Sequence, residues 1–111
     1  MKSKLLALSK SEEFKKLLQK KKVSNKYVTI FFGNLNGKDN KKLNISFVTK
    51  KKIGNAVKRN KIKRRLRNIM NDAFKEISIN LSYSYLVIAK PTMLSNKFKE
   101  IKETLFQEFR K

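Results

Sequence analysis

Between Asn40 and Asn71 the chain carries twelve lysines and arginines and no acidic residue. Such a stretch can join a folded unit only if its cations gather on a solvent-facing side, because an unpaired buried charge is far too costly. The whole sequence leans the same way: 29 Lys plus Arg against 8 Asp plus Glu leave a formal charge of +21 on 111 residues. Self-repulsion of that size costs folding stability and makes sense beside a polyanion, so nucleic acid is the expected partner. A membrane surface would attract the same charge, but no apolar stretch approaches the roughly 20 residues needed to span a bilayer. Leu5 to Leu8 follow two lysines, yet Lys10, Glu12 and Glu13 end the run before a signal-peptide core forms. A cytoplasmic protein with no membrane partner is expected. Apolar residues make up 40% of the chain, enough for one small core, so residues 1–111 are expected to form a single domain. Cysteine and histidine are both absent. That removes disulfides, thiolate chemistry, Cys/His zinc sites and His-based acid–base catalysis. No catalytic residue and no protein-bound metal or cofactor is assigned.

Ser9 and Glu12 have capping-box spacing, which predicts a helix through about Lys20 with Phe14, Leu17 and Leu18 on one face. Tyr27 to Phe32 is dense in β-branched and aromatic residues and lacks strict polar alternation, which predicts a strand covered on both faces. A turn over 33–42 contains Asn36-Gly37. The return strand, Leu43 to Thr49, alternates Leu43, Ile45 and Phe47 with Asn44, Ser46 and Val48. Gly54 and Asn55 precede a helix from about Ala56 to Ile77. At about 100° per residue, Ile62, Leu66, Ile69 and Ala73 share one side of it, while Asn60, Lys63, Arg64, Arg67 and Asn71 share the other. A further strand, Tyr83 to Lys90, stops at Pro91, which lacks the N–H a sheet ladder needs. Ser95 is placed to cap a last helix whose buried stripe is Phe98, Ile101, Leu105 and Phe109, and Arg110 and Lys111 suit its negative end. The order α-β-β-α-β-α predicts an α+β fold, a mixed sheet of about four strands with three helices packed on it.

Chemistry concentrates in the acid-free segment. Lys50 to Lys52 leave a strand, Gly54-Asn55 lets the backbone approach a ligand closely, and Lys58 and Arg59 open a helix. Helix N-termini offer free N–H groups and positive potential, so this combination makes a phosphate cradle. Arg64 and Arg67, a turn apart, can fork onto phosphates, and Asn60 can hydrogen-bond a base edge, a ribose hydroxyl or a phosphate. A run of lysines is ordinarily a solvated helix face. Soluble helices mix signs to gain i,i+4 pairs, however, and the ten basic residues among eighteen from Lys50 to Arg67 forgo that support.

KKIGNAVKRNKIKRRLRN, residues 51 to 68, closely resembles the signature of the bacterial ribonuclease P protein component. SEEFKKLL (Ser11 to Leu18) is similar to that family's first helix, and LVIAKP (Leu86 to Pro91) to its last strand and following proline. The resemblance covers nearly the whole chain, and the α/β sandwich it implies, a ribosomal-protein-like fold, agrees with the predicted element order. It implies a protein subunit of a ribonucleoprotein endonuclease that removes the 5′ leader from precursor tRNA and is monomeric within the particle. It also implies that Mg²⁺ ions held in the ribonuclease P RNA carry out the reaction and that the protein lowers the Mg²⁺ requirement. The implied contacts with that RNA fall on Lys51, Lys52, Gly54, Asn55, Arg59, Asn60, Lys61, Lys63, Arg64 and Arg67. The implied cleft for the single-stranded leader lies between the first helix and the sheet, and here would be lined by Phe14, Leu18, Val28, Ile30 and Phe32. Flat rings stack on bases of any sequence, which suits variable leaders. Family members place further aromatics where Leu18 and Ile30 stand, which either reduces base stacking or leaves it to Phe32 or Tyr27; Phe14 and Phe32 suit core packing equally well. Lys50 stands for a small residue, Lys61 for a frequent arginine and Asn68 for a frequent glutamate, and the first two keep or add positive charge.

Glu12 and Glu13 diverge on a helix and serve its dipole better than acid catalysis. Glu100 and Glu103 read as solvated partners of nearby lysines, and Tyr83 and Tyr85 as sheet-face packing around Ser84. Composition alone leaves two other classes open. One is a structural ribosomal or nucleoid protein that coats RNA or DNA. The other is a nuclease with its own active site, for which the sequence offers no acid–base or metal constellation.

Overall fold

All three predicted helices and all three predicted strands form in the computed structural model, which describes residues 5–8, 11–35, 37–39, 41–95 and 97–110. In chain order the elements are β1 (Leu5–Leu6), α1 (Ser11–Leu18), β2 (Lys21–Ser24), β3 (Val28–Gly33), β4 (Leu43–Val48), α2 (Ala56–Glu76), β5 (Ser84–Ala89) and α3 (Phe98–Phe109). Short 3-10 turns over Lys51–Ile53 and Pro91–Leu94 precede α2 and α3. The strands make one mixed sheet in the order β1-β4-β5-β3-β2, five strands where about four were expected. β4 runs parallel to β1 and β5, whereas β3 is antiparallel to β5 and β2.

The two unpredicted strands are both edges. β2, Lys-Lys-Val-Ser, reads as solvent in sequence, yet Asn25 Oδ1 accepts the N–H groups of Tyr27 (2.8 Å) and Val28 (3.0 Å) and so reverses the chain into a hairpin. Lys90 fastens that turn by donating to the Asn25 carbonyl at 2.5 Å and to Ser24 Oγ at 2.9 Å. Exposed Lys21 and Lys22 then guard the free edge against pairing with another chain. β1 is held differently, with the Leu8 N–H donated to Ser46 Oγ at 2.8 Å.

Period two divides the strands between two unequal layers. On one face Val28, Ile30, Leu43, Ile45, Tyr85 and Val87 meet Ile62, Leu66 and Ile69 of α2 and Ile101, Leu105 and Phe109 of α3, a packed core. The other face is covered by α1, where Leu17, Leu86 and Leu8 are buried and Phe14, Phe31, Val48 and Ile88 surround them half-buried. The α2/α3 side of the sheet is thus largely filled, open at a small cavity beside Phe32 and Tyr83, and the α1 side is a partly open apolar groove.

Ser95 does not cap α3 as expected. That helix starts at Phe98 with no side-chain cap at Lys97, and Ser95 Oγ reaches the Lys97 N–H only at 3.5 Å. Ser9 and Asn36, on which the first capping box and the Asn-Gly turn depend, lie outside the described residues; Gly37 has a φ of 76°. Among the described residues no helix is long and apolar enough to cross a membrane.

Candidate nucleic-acid interface

The chain enters α2 through a turn that only its own residues permit. Gly54 sits at φ 152° and ψ −163°, a region essentially restricted to glycine, and a Cβ there would come within 2.8 Å of Lys58 Cδ. Asn55 then caps the helix, its Oδ1 accepting the Lys58 N–H at 3.0 Å. The first turn holds no acid, although a carboxylate there would add about 0.3–1 kcal/mol through the helix dipole. Instead Lys51, Lys52, Lys58 and Lys61 stand exposed around the positive end. This arrangement costs the free protein stability, a cost that a bound anion would offset.

The buried residues Ile62, Leu66, Ile69, Met70 and Ala73 fix the rotation of α2. Asn60, Arg64 and Arg67 therefore point to solvent, and Arg59 and Lys63 lie half-buried on the flank of the helix, Arg59 Nε having no protein partner. Lys61 lies further round, roughly a third of a turn from Arg67. Of the ten residues assigned to RNA contact, nine thus gather along the turn and one side of α2, with Lys61 at its margin. Arg65 turns to the opposite flank, where its guanidinium donates to the carbonyls of Met93 (2.9 Å) and Ser95 (2.7 Å) and ties α2 to the turn before α3.

Lys63 and Arg67 also line a cavity of about 400 Å³ at the β1–β4 edge, together with Phe14, Phe47 and Val48. The cationic side of α2 and the α1-side groove meet there. Further along that groove the half-buried Phe31 ring has Lys22 Nζ 5.9 Å from its centroid, and Leu18 is 48% exposed on α1. At the far end of α1, Lys16, Gln19, Lys20, Asn34 and Leu35 line a second opening of about 380 Å³. An ion pair from Lys38 to Glu13 holds the β3–β4 connection against α1.

The cleft lining expected from sequence is therefore corrected on one side. Phe14 and Leu18 border the groove, but Val28, Ile30 and Phe32 face the opposite layer, packed in or against the α2/α3 core. Register explains it: Ile30 pairs with Val87 and Phe31 with Leu86, and only the second pair faces α1. Phe31 is the ring that the sequence reading missed. Its signal was the parity of β3, since once Val28 and Ile30 belong to the main core, Phe31 must point the other way. Among the described residues no three of His, Cys, Asp or Glu cluster where they could hold a metal ion.

The Ribonuclease P family model matches residues 2–111. The chain is 32% identical over 107 residues to the ribonuclease P protein component of Alkaliphilus metalliredigens, spanning 94% of this chain and 90% of that one. Against the ribonuclease P protein component of Bacillus pumilus the identity is 34% over 105 residues, covering 94% and 85%. Among solved structures, the RNase P protein of Staphylococcus aureus superposes with a TM-score of 0.75 at 25% identity, over 91% of this chain and 89% of that one. The fold is also that of the RNase P protein from Thermotoga maritima, with a TM-score of 0.78 at 24% identity over 95% and 96%. Matched by the family over nearly its whole length and by relatives above 30% identity, the chain belongs to the ribonuclease P protein family.

Proposed function

We propose that the chain is the RNA-binding subunit of ribonuclease P and assists a catalytic RNA in removing the 5′ leader from precursor tRNA in the cytoplasm. One observation carries the reading. The cavity shared by Lys63, Arg67 and Phe14 joins a phosphate-binding helix to a groove bearing aromatic rings. The α2 side and its Gly54-Asn55 entrance would grip the phosphates of the ribonuclease P RNA, through Lys51, Lys52, Arg59, Asn60, Arg64 and Arg67. The α1-side groove would take the single-stranded leader, with Phe14, Leu18 and Phe31 against its bases and Lys22 near its backbone. Rings that stack without reading base edges suit leaders of any sequence. Mg²⁺ ions held by the RNA would supply the activated water and stabilise the leaving oxygen. The protein, one copy per particle, would hold leader and RNA in register, which lowers the Mg²⁺ needed for assembly.

The test adds purified protein to ribonuclease P RNA and precursor tRNA at low Mg²⁺. Cleavage should rise, and the protein should prefer leader-bearing over mature tRNA in competition binding. No rise in cleavage, or equal affinity for any RNA and DNA offered, would refute the proposal.

A further inference from the structure

On the α3 side of the sheet, away from the groove, Phe32, Tyr83, Tyr85 and Phe109 form an aromatic cluster. Phe32 lies 5.4 Å from Tyr83 and 6.2 Å from Tyr85 between ring centroids, and Tyr85 lies 5.0 Å from Phe109. Tyr85 is buried, and its hydroxyl donates to the Asn80 carbonyl at 2.8 Å, so it forms a rigid floor. Phe32 and Tyr83 stay half-buried and border a cavity of about 210 Å³. That is below the roughly 300–1,000 Å³ of drug-sized ligand sites and fits one small ring system. Its rim carries Asn80, Glu108 and Arg110, a set that both donates and accepts hydrogen bonds. The Glu108 carboxylate, in no ion pair among the described residues, would repel a phosphate and accept from base N–H groups instead.

A cationic cleft lies next door. Phe32 and Tyr83 also line an adjoining cleft with Lys20, Lys21 and Asn34, and this cleft shares Lys20 and Asn34 with the opening at the far end of α1. Gly33 sets the Lys20 position, because any Cβ there would collide with the Lys20 stem that lies across the end of β3. A continuous path therefore leads from the α1-side groove, over the cationic end of the sheet, into the aromatic cavity.

We infer that this cavity binds one unpaired nucleobase of single-stranded RNA, stacked on Phe32 and Tyr83, while Lys20 and Lys21 hold the adjoining phosphates. The inference rests on the reading of the α1-side groove as the leader site and extends that site around the sheet end. Two sets of fluorescent oligouridylates test it on the full-length protein, one just long enough for the groove and one longer. Tyr83→Ala should weaken the longer set about tenfold and leave the short set unchanged, because a single stacked base contributes on that scale. Tyr83→Phe should restore binding, and Phe31→Ala should weaken both sets. Long oligonucleotides carrying one 5-iodouridine should photocross-link to Tyr83 or Phe32. Full affinity in a folded Tyr83→Ala variant, or cross-links confined to α1-groove residues, would overturn the cavity assignment while leaving the groove reading intact. Insensitivity of both sets to Phe31→Ala would overturn the groove reading itself.

Discussion

At Gly54 a backbone that only glycine adopts readily, φ 152° with ψ −163°, delivers the chain to the Asn55 cap and so aims the first turn of α2. Gly54→Ala should therefore cost about 1–3 kcal/mol, read from urea denaturation, and should weaken RNA-subunit binding beyond what the loss of folded protein explains. The break before the helix was legible in sequence, because glycine and asparagine stand ahead of an amphipathic run, but the Asn55 cap itself emerges only from the structure. Phe31 was not. Three consecutive apolar residues, Ile30, Phe31 and Phe32, carry no polar alternation to say which face each takes, and only the partners across the sheet decide. The two faces should separate on mutation. Ile30→Ala, in the packed core, should cost about 2–5 kcal/mol of stability and leave the preference for leader-bearing tRNA intact in whatever protein folds. Phe31→Ala should keep most of the stability and lose about tenfold in that preference, measured by competition between leader-bearing and mature tRNA.

Among the elements, α2 was the most legible, since its 3.6-residue apolar stripe survives a surface made almost wholly of cations. β1 and β2 were the least. One is two residues long and the other offers two lysines, and both exist because a neighbouring strand, an Asx turn and Lys90 hold them, none of which local propensity records. Within α2 the seven basic residues of the signature are not equivalent. Arg64 and Arg67 end in solvent, so replacing both with alanine should weaken RNA-subunit binding and reduce the slope of log affinity against log salt by about two. An unchanged slope would remove both from the interface. Arg65→Met should do the reverse. It strips two carbonyls of their donor, at Met93 and Ser95, which should cost about 1–3 kcal/mol in thermal or urea unfolding while the salt slope stays as it was.

Across the whole molecule, the charge of +21 sets the terms on which the fold exists. The five ion pairs among the described residues, all but Lys38–Glu13 with substantially exposed partners, offset little of it. The cations are concentrated where α2 begins, and there the helix dipole adds to them and no acid opposes them. A divalent anion bound at that site would favour the folded state alone, by about 2.7 kcal/mol once its concentration reaches a hundredfold over its dissociation constant. Simple screening acts differently, because it relaxes repulsion everywhere at once and grows with ionic strength whichever anion supplies it. Sulfate should accordingly raise the melting temperature and helical circular dichroism well above the values in chloride of equal ionic strength. Gly54→Ala, which disturbs the cradle, should shrink the sulfate-specific part and leave the chloride response alone. If the two salts proved equivalent at matched ionic strength, the cost of the charge would be diffuse, and the start of α2 would hold no anion site of its own.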